Sequence, residues 1–388
     1  MLLEHSLLRR TDEAGGADAT PRFGMLETVR EFAQEQLQAS NEAGAIGEAH
    51  ARYVVGLVED SEPRLSGPEQ VQWMARLAAE QDNLRAALRW LLDAEELEEA
   101  GGLLRRLLRF WWVRGQVAEA RHWAEEVLAR AAPPRARGRA CLVVGGAAGI
   151  AAAGQVDPAA LGLLVEARSL ARATGDRWVE GVSLLMEGVL APAQGDIAAG
   201  IDLLRQAQPL LREAGDEWAV GSCLSSLSSL CLLLGELDEA ERYAQEHLAL
   251  AQPTGDLLSL AQARDFLAMV ALLRQDLDRA AVLLKQSTAL ALELGHPQLL
   301  VYGLLGLAVV AAERDPRRAM RHFGAAEALR QAHGVALWPW HRMVYDPMLE
   351  RVRTALGARA FEAARMQGRA LTREQAGASG LQWEGASS

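Results

Sequence analysis

The chain has 388 residues, with 40 Lys+Arg against 51 Asp+Glu and a net charge of −11. Hydrophobic residues make up 50% and charged ones 23%, so a large core can form and the chain is not a disordered acidic tail. The acidic balance argues against direct nucleic-acid binding, which needs a basic face to displace counterions, and an alanine- and leucine-rich chain with 5% aromatics favours helices over strands.

In chain order, Met1-Leu-Leu-Glu-His5 has an acid where a secretory leader carries a basic segment, and no cleavage site follows. Ser6–Arg10 reads as a short strand, Thr11–Pro21 as a polar turn, and Arg22–Ala33 as a strand running into a helix. Residues 1–40 are thus a hairpin feeding a helix. Residues 41–135 read as irregular helical hairpins and a first repeat. In that repeat Trp111 fills the large position, Gly115 the turn and Ala120 a small position, and Pro133-Pro134 closes the second helix. Asp93–Glu99 is a solvated acidic turn.

Over 136–334 the sequence repeats itself. Gly-Asp recurs at 175, 215 and 255, followed by Gly295-His296, at steps of 40 residues. A second mark falls between them at Gly154, Gly195, Gly235, Gln275 and Asp315. Two turn signals per period mean two helices per unit. Glycine ends one helix in the left-handed region, and the following Asp caps the next. Small residues occupy two fixed columns: Ala147, Gly188, Ser228, Ala268 and Ala308, then Ala159, Gly200, Ala240 and Ala280, with Met320 the exception. They let paired helices approach closely. The fold class is therefore all-α, a right-handed solenoid of 40-residue helix pairs. Residues 335–375 are expected to cap it, with Trp338-Pro-Trp340 plugging the last repeat, and 376–388 to form a flexible tail.

The apolar runs Cys141–Ala153, Ala219–Leu234 and Gln298–Ala312 are shorter than the ~20 residues a bilayer requires. They read as buried helices of a cytoplasmic protein without membrane contact. Cys223 and Cys231 lie eight residues apart in one helix, about 12 Å, too far for a disulfide. With Cys141 they read as small buried side chains. Gly145-Gly-Ala-Ala-Gly149 lies in a repeat helix without a preceding strand, so it serves close packing rather than a dinucleotide. His322, His333 and His341 crowd one end but lack metal-ligand spacing. No cofactor, metal site or nucleophile–base pair is legible, and an enzyme is not expected.

The small–turn–small pattern of Gly188, Gly195 and Gly200, and of Ser228, Gly235 and Ala240, resembles the tetratricopeptide repeat in a longer form. The strings Arg22–Ala33, Ala49–Tyr53 and Glu80–Trp90 resemble large bacterial signal-transduction ATPases, including LuxR-type transcriptional regulators. So do His322–Arg330, Tyr345–Leu349 and Gly368–Glu374. In that family a P-loop ATPase is followed by a winged helix and then by a repeat sensor arm. The resemblance makes residues 1–40 a winged-helix remnant. No Gly-x-x-x-x-Gly-Lys-Ser/Thr occurs, and the sole lysine, Lys285, sits in a repeat helix. ATP binding is therefore not carried over, and the chain matches the sensor arm without its ATPase and helix-turn-helix parts.

The resemblance further implies that the first helix of each unit lines a concave groove. Reading those columns gives Val144, Ala148, Val182, Leu185 and Val189 early, and Ser222, Ser225, Ser229, Gln262, Asp265 and Met269 centrally. Tyr302, Leu305 and Glu313 come last. An apolar groove with a hydroxyl and carboxylate patch suits a protein or peptide partner, or a small-molecule inducer. A free-standing tetratricopeptide adaptor is the alternative.

Overall fold

The computed structural model describes residues 8–11, 22–151, 157–335, 337 and 339–382. Gly154 and Trp338 lie outside them. Strands β1 (Arg9–Thr11) and β2 (Arg22–Gly24) pair antiparallel with Arg10 opposite Phe23. They lead into α1 (Glu27–Ala39), which contributes no buried residue. The N-terminal helices follow: α2 (Ala43–Ser61), a 3-10 turn (Glu62–Ser66), α3 (Gln70–Ala79), α4 (Gln81–Asp93), α5 (Leu97–Arg114) and α6 (Val117–Leu128). Helix α6 ends before Pro133-Pro134, and Pro134 instead opens the next helix, where its missing N–H costs nothing.

Five helix pairs then stack. They are α7 (Pro134–Ala151) with α8 (Pro158–Thr174), α9 (Arg177–Leu190) with α10 (Ile197–Glu213), and α11 (Glu217–Leu234) with α12 (Leu237–Thr254). After them come α13 (Leu257–Leu273) with α14 (Leu277–Leu294), and α15 (Pro297–Ala311) with α16 (Pro316–His333). The first helices pack directly on one another, α7 on α9, α9 on α11, α11 on α13 and α13 on α15. The fold is an all-α solenoid.

The two turn columns do what their chemistry requires. Gly175, Gly215, Gly255 and Gly295 sit at φ between +64° and +73°. Asp176, Asp216 and Asp256 each accept backbone N–H groups at the start of the next helix, and His296 Nδ1 does the same for Leu299. Gln275 takes the left-handed position in place of glycine, at φ +62°. The small columns meet: a Cβ on Gly188 would lie 3.0 Å from the Gly200 carbonyl oxygen. Ser228 Oγ donates to the Ala240 carbonyl at 2.8 Å. A Cβ on Gly145 would lie 2.8 Å from the Ala160 carbonyl oxygen, so helix packing accounts for that glycine.

Two apolar cores meet at α7. Val143 and Val144 belong to the N-terminal one, Cys141 and Leu142 to the repeat core. All three cysteines are free and buried. Among the described residues one helix, α11, is long and apolar enough to cross a membrane, and it lies inside the stack.

The C-terminal segment is helical and folds back on the repeats. Helix α17 (Pro339–Arg369) is broken at Gly357, whose φ of 72° and ψ of 159° no helix accommodates. Its second limb, 358–369, packs on α16 so tightly that a Cβ on Gly368 would sit 2.0 Å from the Arg321 carbonyl oxygen. Helix α18 (Arg373–Leu381), opened by a Thr372–Gln375 capping box, packs on α14, α15 and α16. Residues 376–381, expected in a flexible tail, are thus part of a docked helix, with Ala376 buried. Gly377 and Gly380 let it approach Leu292 and Leu307.

Candidate functional site: the concave face

The inner face is built from α9, α11, α13 and α15. The turn glycines fix where each of these helices starts, so equivalent columns line up from one unit to the next. Two segments from outside the repeats lie on this face.

The first comes from the N-terminal helices. Along α5, Arg105 stacks over Trp178 at the start of α9, its guanidinium 5.3 Å from the ring centroid. One turn later Arg109 stacks over Trp218 at the start of α11, at 5.2 Å. Arg109 Nη2 also donates to Asp256 Oδ2 at 2.8 Å, at the start of α13, and the pair is buried. Gln70 Nε2 donates to Asp256 Oδ1 at 3.3 Å, and Ser66 Oγ bonds Arg109. Thus α5 and the Ser66–Gln70 segment cross the starts of three successive units. A cavity of about 10 Å³, lined by Ser66, Trp218, His247, Asp256 and Ser259, lies beneath them. Gln70 Oε1, Arg109 Nε, Trp218 Nε1 and His247 Nε2 are buried in this region without partners. The space suits one water molecule.

The second is the first limb of α17, 339–356. It reaches α11 and α15. The His341 ring lies 4.2 Å from that of Tyr302 and stacks on Tyr345 at 5.7 Å. Tyr345, Met348 and Val352 are buried. Arg351 pairs with Glu313 at 3.4 Å. A cleft of about 260 Å³ remains between this limb and the ends of α13 and α15, lined by Leu272, Leu273, Val309, Met343, Val344 and Pro347.

The sequence-derived groove residues fall into three groups. Asp265, Met269 and Tyr302 are buried on α13 and α15, and Tyr302 and Asp265 lie beside Tyr345. Burial pushes the Asp265 carboxyl up to about 7. Burial, then Asp265 and Tyr302, raise the Tyr345 hydroxyl, and burial lowers His341 to about 3. Such a cluster disfavours charge because burial penalises the ionised forms. The serines are spent on helices: Ser222 Oγ donates to its own helix at Trp218, and Ser225 Oγ bonds His247 Nδ1 of α12 at 2.8 Å. Ser229 is buried, Gln262 half-buried, and Glu313 is exposed at the rim. Of the early apolar residues, Val144, Val182 and Leu185 are buried, as is Leu305 at the far end, while Ala148 and Val189 are half-buried.

Ser225, His247 and Asp256 invite comparison with a nucleophile–base–acid set. The geometry closes that route. His247 is buried, a Cβ on Gly221 would lie 2.6 Å from its Nε2, and burial lowers its pKa to about 4. Asp256 is committed to the α13 N-terminus and Arg109, and the adjoining space is only about 10 Å³. The three clustered histidines do not converge: His341 stacks on Tyr302, His322 contacts Arg318, and His333 is exposed. Among the described residues no group of three His, Cys, Asp or Glu side chains is placed to hold a metal.

Sequence reasoning missed the two covering segments. The Arg109–Asp256 contact spans 147 residues and leaves no local trace. The one signal was the column Trp178 and Trp218, two residues after successive Gly-Asp marks.

The fold places the chain among all-α helical-repeat proteins. The structure superposes with a TM-score of 0.52 on a Signal Transduction ATPase with Numerous Domains (STAND) protein with a tetratricopeptide repeat sensor from Pyrococcus horikoshii. That match covers 90% of this chain and 55% of the other at 14% identity, a likeness of fold. In sequence, 128 residues are 31% identical to proteins of Mycobacterium bovis and Mycobacterium tuberculosis whose names call them HTH-type transcriptional regulators. The matched stretch is 33% of this chain and spans 14% of each regulator's length. No family model matches the chain.

Proposed function

We propose that this chain is the sensor arm of a multidomain bacterial transcriptional regulator of the signal-transduction ATPase type, within it the LuxR-type class. It acts in the cytoplasm, binds a partner or inducer on its concave face and catalyses nothing itself. The observation that supports the reading is the inner face: Asp265, Met269 and Tyr302 are buried on α13 and α15, and a cleft of about 260 Å³ opens at the ends of the same two helices. The likeness of fold to a STAND protein and the partial identity to HTH-type regulators support the same class. The N-terminal hairpin supports it independently. Helix α1 buries nothing, and Phe23, Leu26 and Phe32 are 51%, 46% and 61% exposed. Apolar side chains of that size on a winged-helix remnant call for a neighbouring unit to cover them.

A photo-crosslinking residue tests the reading at Gln262, on the inner face, against Glu239, exposed on α12. In cells of the source organism, a specific adduct from position 262 and none from position 239 is expected. Adducts from position 239 alone would discard the concave face as the binding surface.

A further inference from the structure

The inner face at α11, α13 and α15 is occupied by the chain's own first α17 limb, and this limb shows what the groove accepts. Its buried residues are His341, Val344, Tyr345, Met348 and Val352, the i, i+3, i+4, i+7, i+11 stripe of one helical face. Its outward residues Arg342, Asp346, Glu350 and Arg353 are exposed. This is an amphipathic helix lying in a groove.

The fit is incomplete. Tyr345 Oη is buried without a partner. Asp265 lies 8% exposed beside it, its ionisation governed by burial alone. Pro347 stands inside the helix, where it removes an N–H, and the 260 Å³ cleft separates Met343 and Val344 from Leu272 and Val309. The second limb is bound differently. Gly324 and Gly368 bring its backbone against α16, and Arg365 pairs with Glu327 at 2.8 Å. Gly357, in a non-helical conformation, separates the two.

We infer that the groove over α11, α13 and α15 is a docking site for an amphipathic helix of a partner protein, which enters by displacing the 339–356 limb about Gly357. The partner carries a hydrogen-bond donor where Tyr345 now stands. An arginine, lysine or amide there would bring a donor towards the Asp265 carboxylate, whose charge is felt at the Tyr345 hydroxyl. The inference rests on the sensor reading and names the partner's chemistry.

Two fluorescent peptides test it at pH 8: the 339–356 sequence itself, and the same sequence with Tyr345→Arg. The protein is the full chain carrying Glu313→Cys and Arg351→Cys, whose native charged groups lie 3.4 Å apart across the limb and the rim. A short bis-maleimide bridges these exposed positions and spares the buried native cysteines. Unbridged protein is expected to take up both peptides, the Tyr345→Arg peptide at least about tenfold more tightly, with uptake lost on bridging. Asp265→Leu in the protein is expected to erase the preference while keeping binding of the unmodified peptide. No uptake of either peptide, equal uptake by bridged protein, or a preference that survives Asp265→Leu would overturn the inference. A dimer formed by reciprocal limb exchange, seen by native mass spectrometry, would also overturn it in favour of a second copy. Specific crosslinks at position 262 with no peptide uptake would leave the sensor reading standing and remove this one.

Discussion

Asp265 is the most informative residue to perturb. It stands on α13, 8% exposed, and burial lifts its carboxyl from 3.8 to about 7. The unfolded chain releases this proton near the ordinary value, whereas the folded chain holds it until about neutrality. Between those limits the native state binds more protons than the unfolded one, so stability falls as pH rises. The contribution changes by about 1.4 kcal/mol per pH unit and levels off above pH 7 at no more than roughly 4 kcal/mol. Asparagine has nearly the same shape and no proton to lose. Urea unfolding of the wild type and Asp265→Asn, followed by circular dichroism from pH 4 to pH 8.5, reads the difference directly. The variant is expected to match the wild type near pH 4 and to become progressively more stable than it up to pH 7. Subtracting the two curves cancels groups that titrate in both, such as Glu187, which burial also raises, and Glu119, which Arg85 lowers. Parallel curves would refute the burial of an ionisable carboxylate under α17.

Three further outcomes follow from the packing. Leu227 is fully buried between units, and Leu227→Ala should lower the unfolding free energy by about 2–5 kcal/mol, while Ala268→Trp should wedge the first and second helices of its pair apart and cost more; an unmoved melting curve for both would deny the stack. Gln275→Gly should stabilise the protein by about 1 kcal/mol, because it relieves the left-handed strain at φ +62°, as read from the urea midpoint. Arg109→Met leaves Asp256 buried without its ion partner and should cost about 3 kcal/mol, less where the α13 N-terminal amides compensate; a double-mutant cycle with Asp256→Asn measures the coupling.

The repeats were legible because their signals are local. A glycine that must be left-handed and an aspartate that must cap are set by the backbone within a few residues, so Gly215-Asp216 states its role wherever it occurs. The small columns were equally readable, since only Gly188 and Gly200 allow the approach seen between α9 and α10. Columns also suggested which residues face inward; of these Asp265, Met269 and Tyr302 are buried on α13 and α15. What covers them was not legible. The stripe from His341 to Val352 is the same whether its helix caps a stack or lies in a groove, and only the break at Gly357 decides between the two. Ser225 shows a second limit: its column faces inward, yet its hydroxyl turns to His247 on the neighbouring helix. Arg109 shows a third, because an arginine on an apolar helix announces no partner, and Asp256 had already been explained as a cap.

Residue-resolved hydrogen exchange of the intact chain tests most directly whether the concave face is a recognition surface closed by its own C-terminal limb. The amides of 339–356 should exchange at least about tenfold faster than those of 358–369 and of α13, through a local opening that leaves the stack folded. Equal protection of both limbs, lost only together with the repeats on global unfolding, would contradict the account.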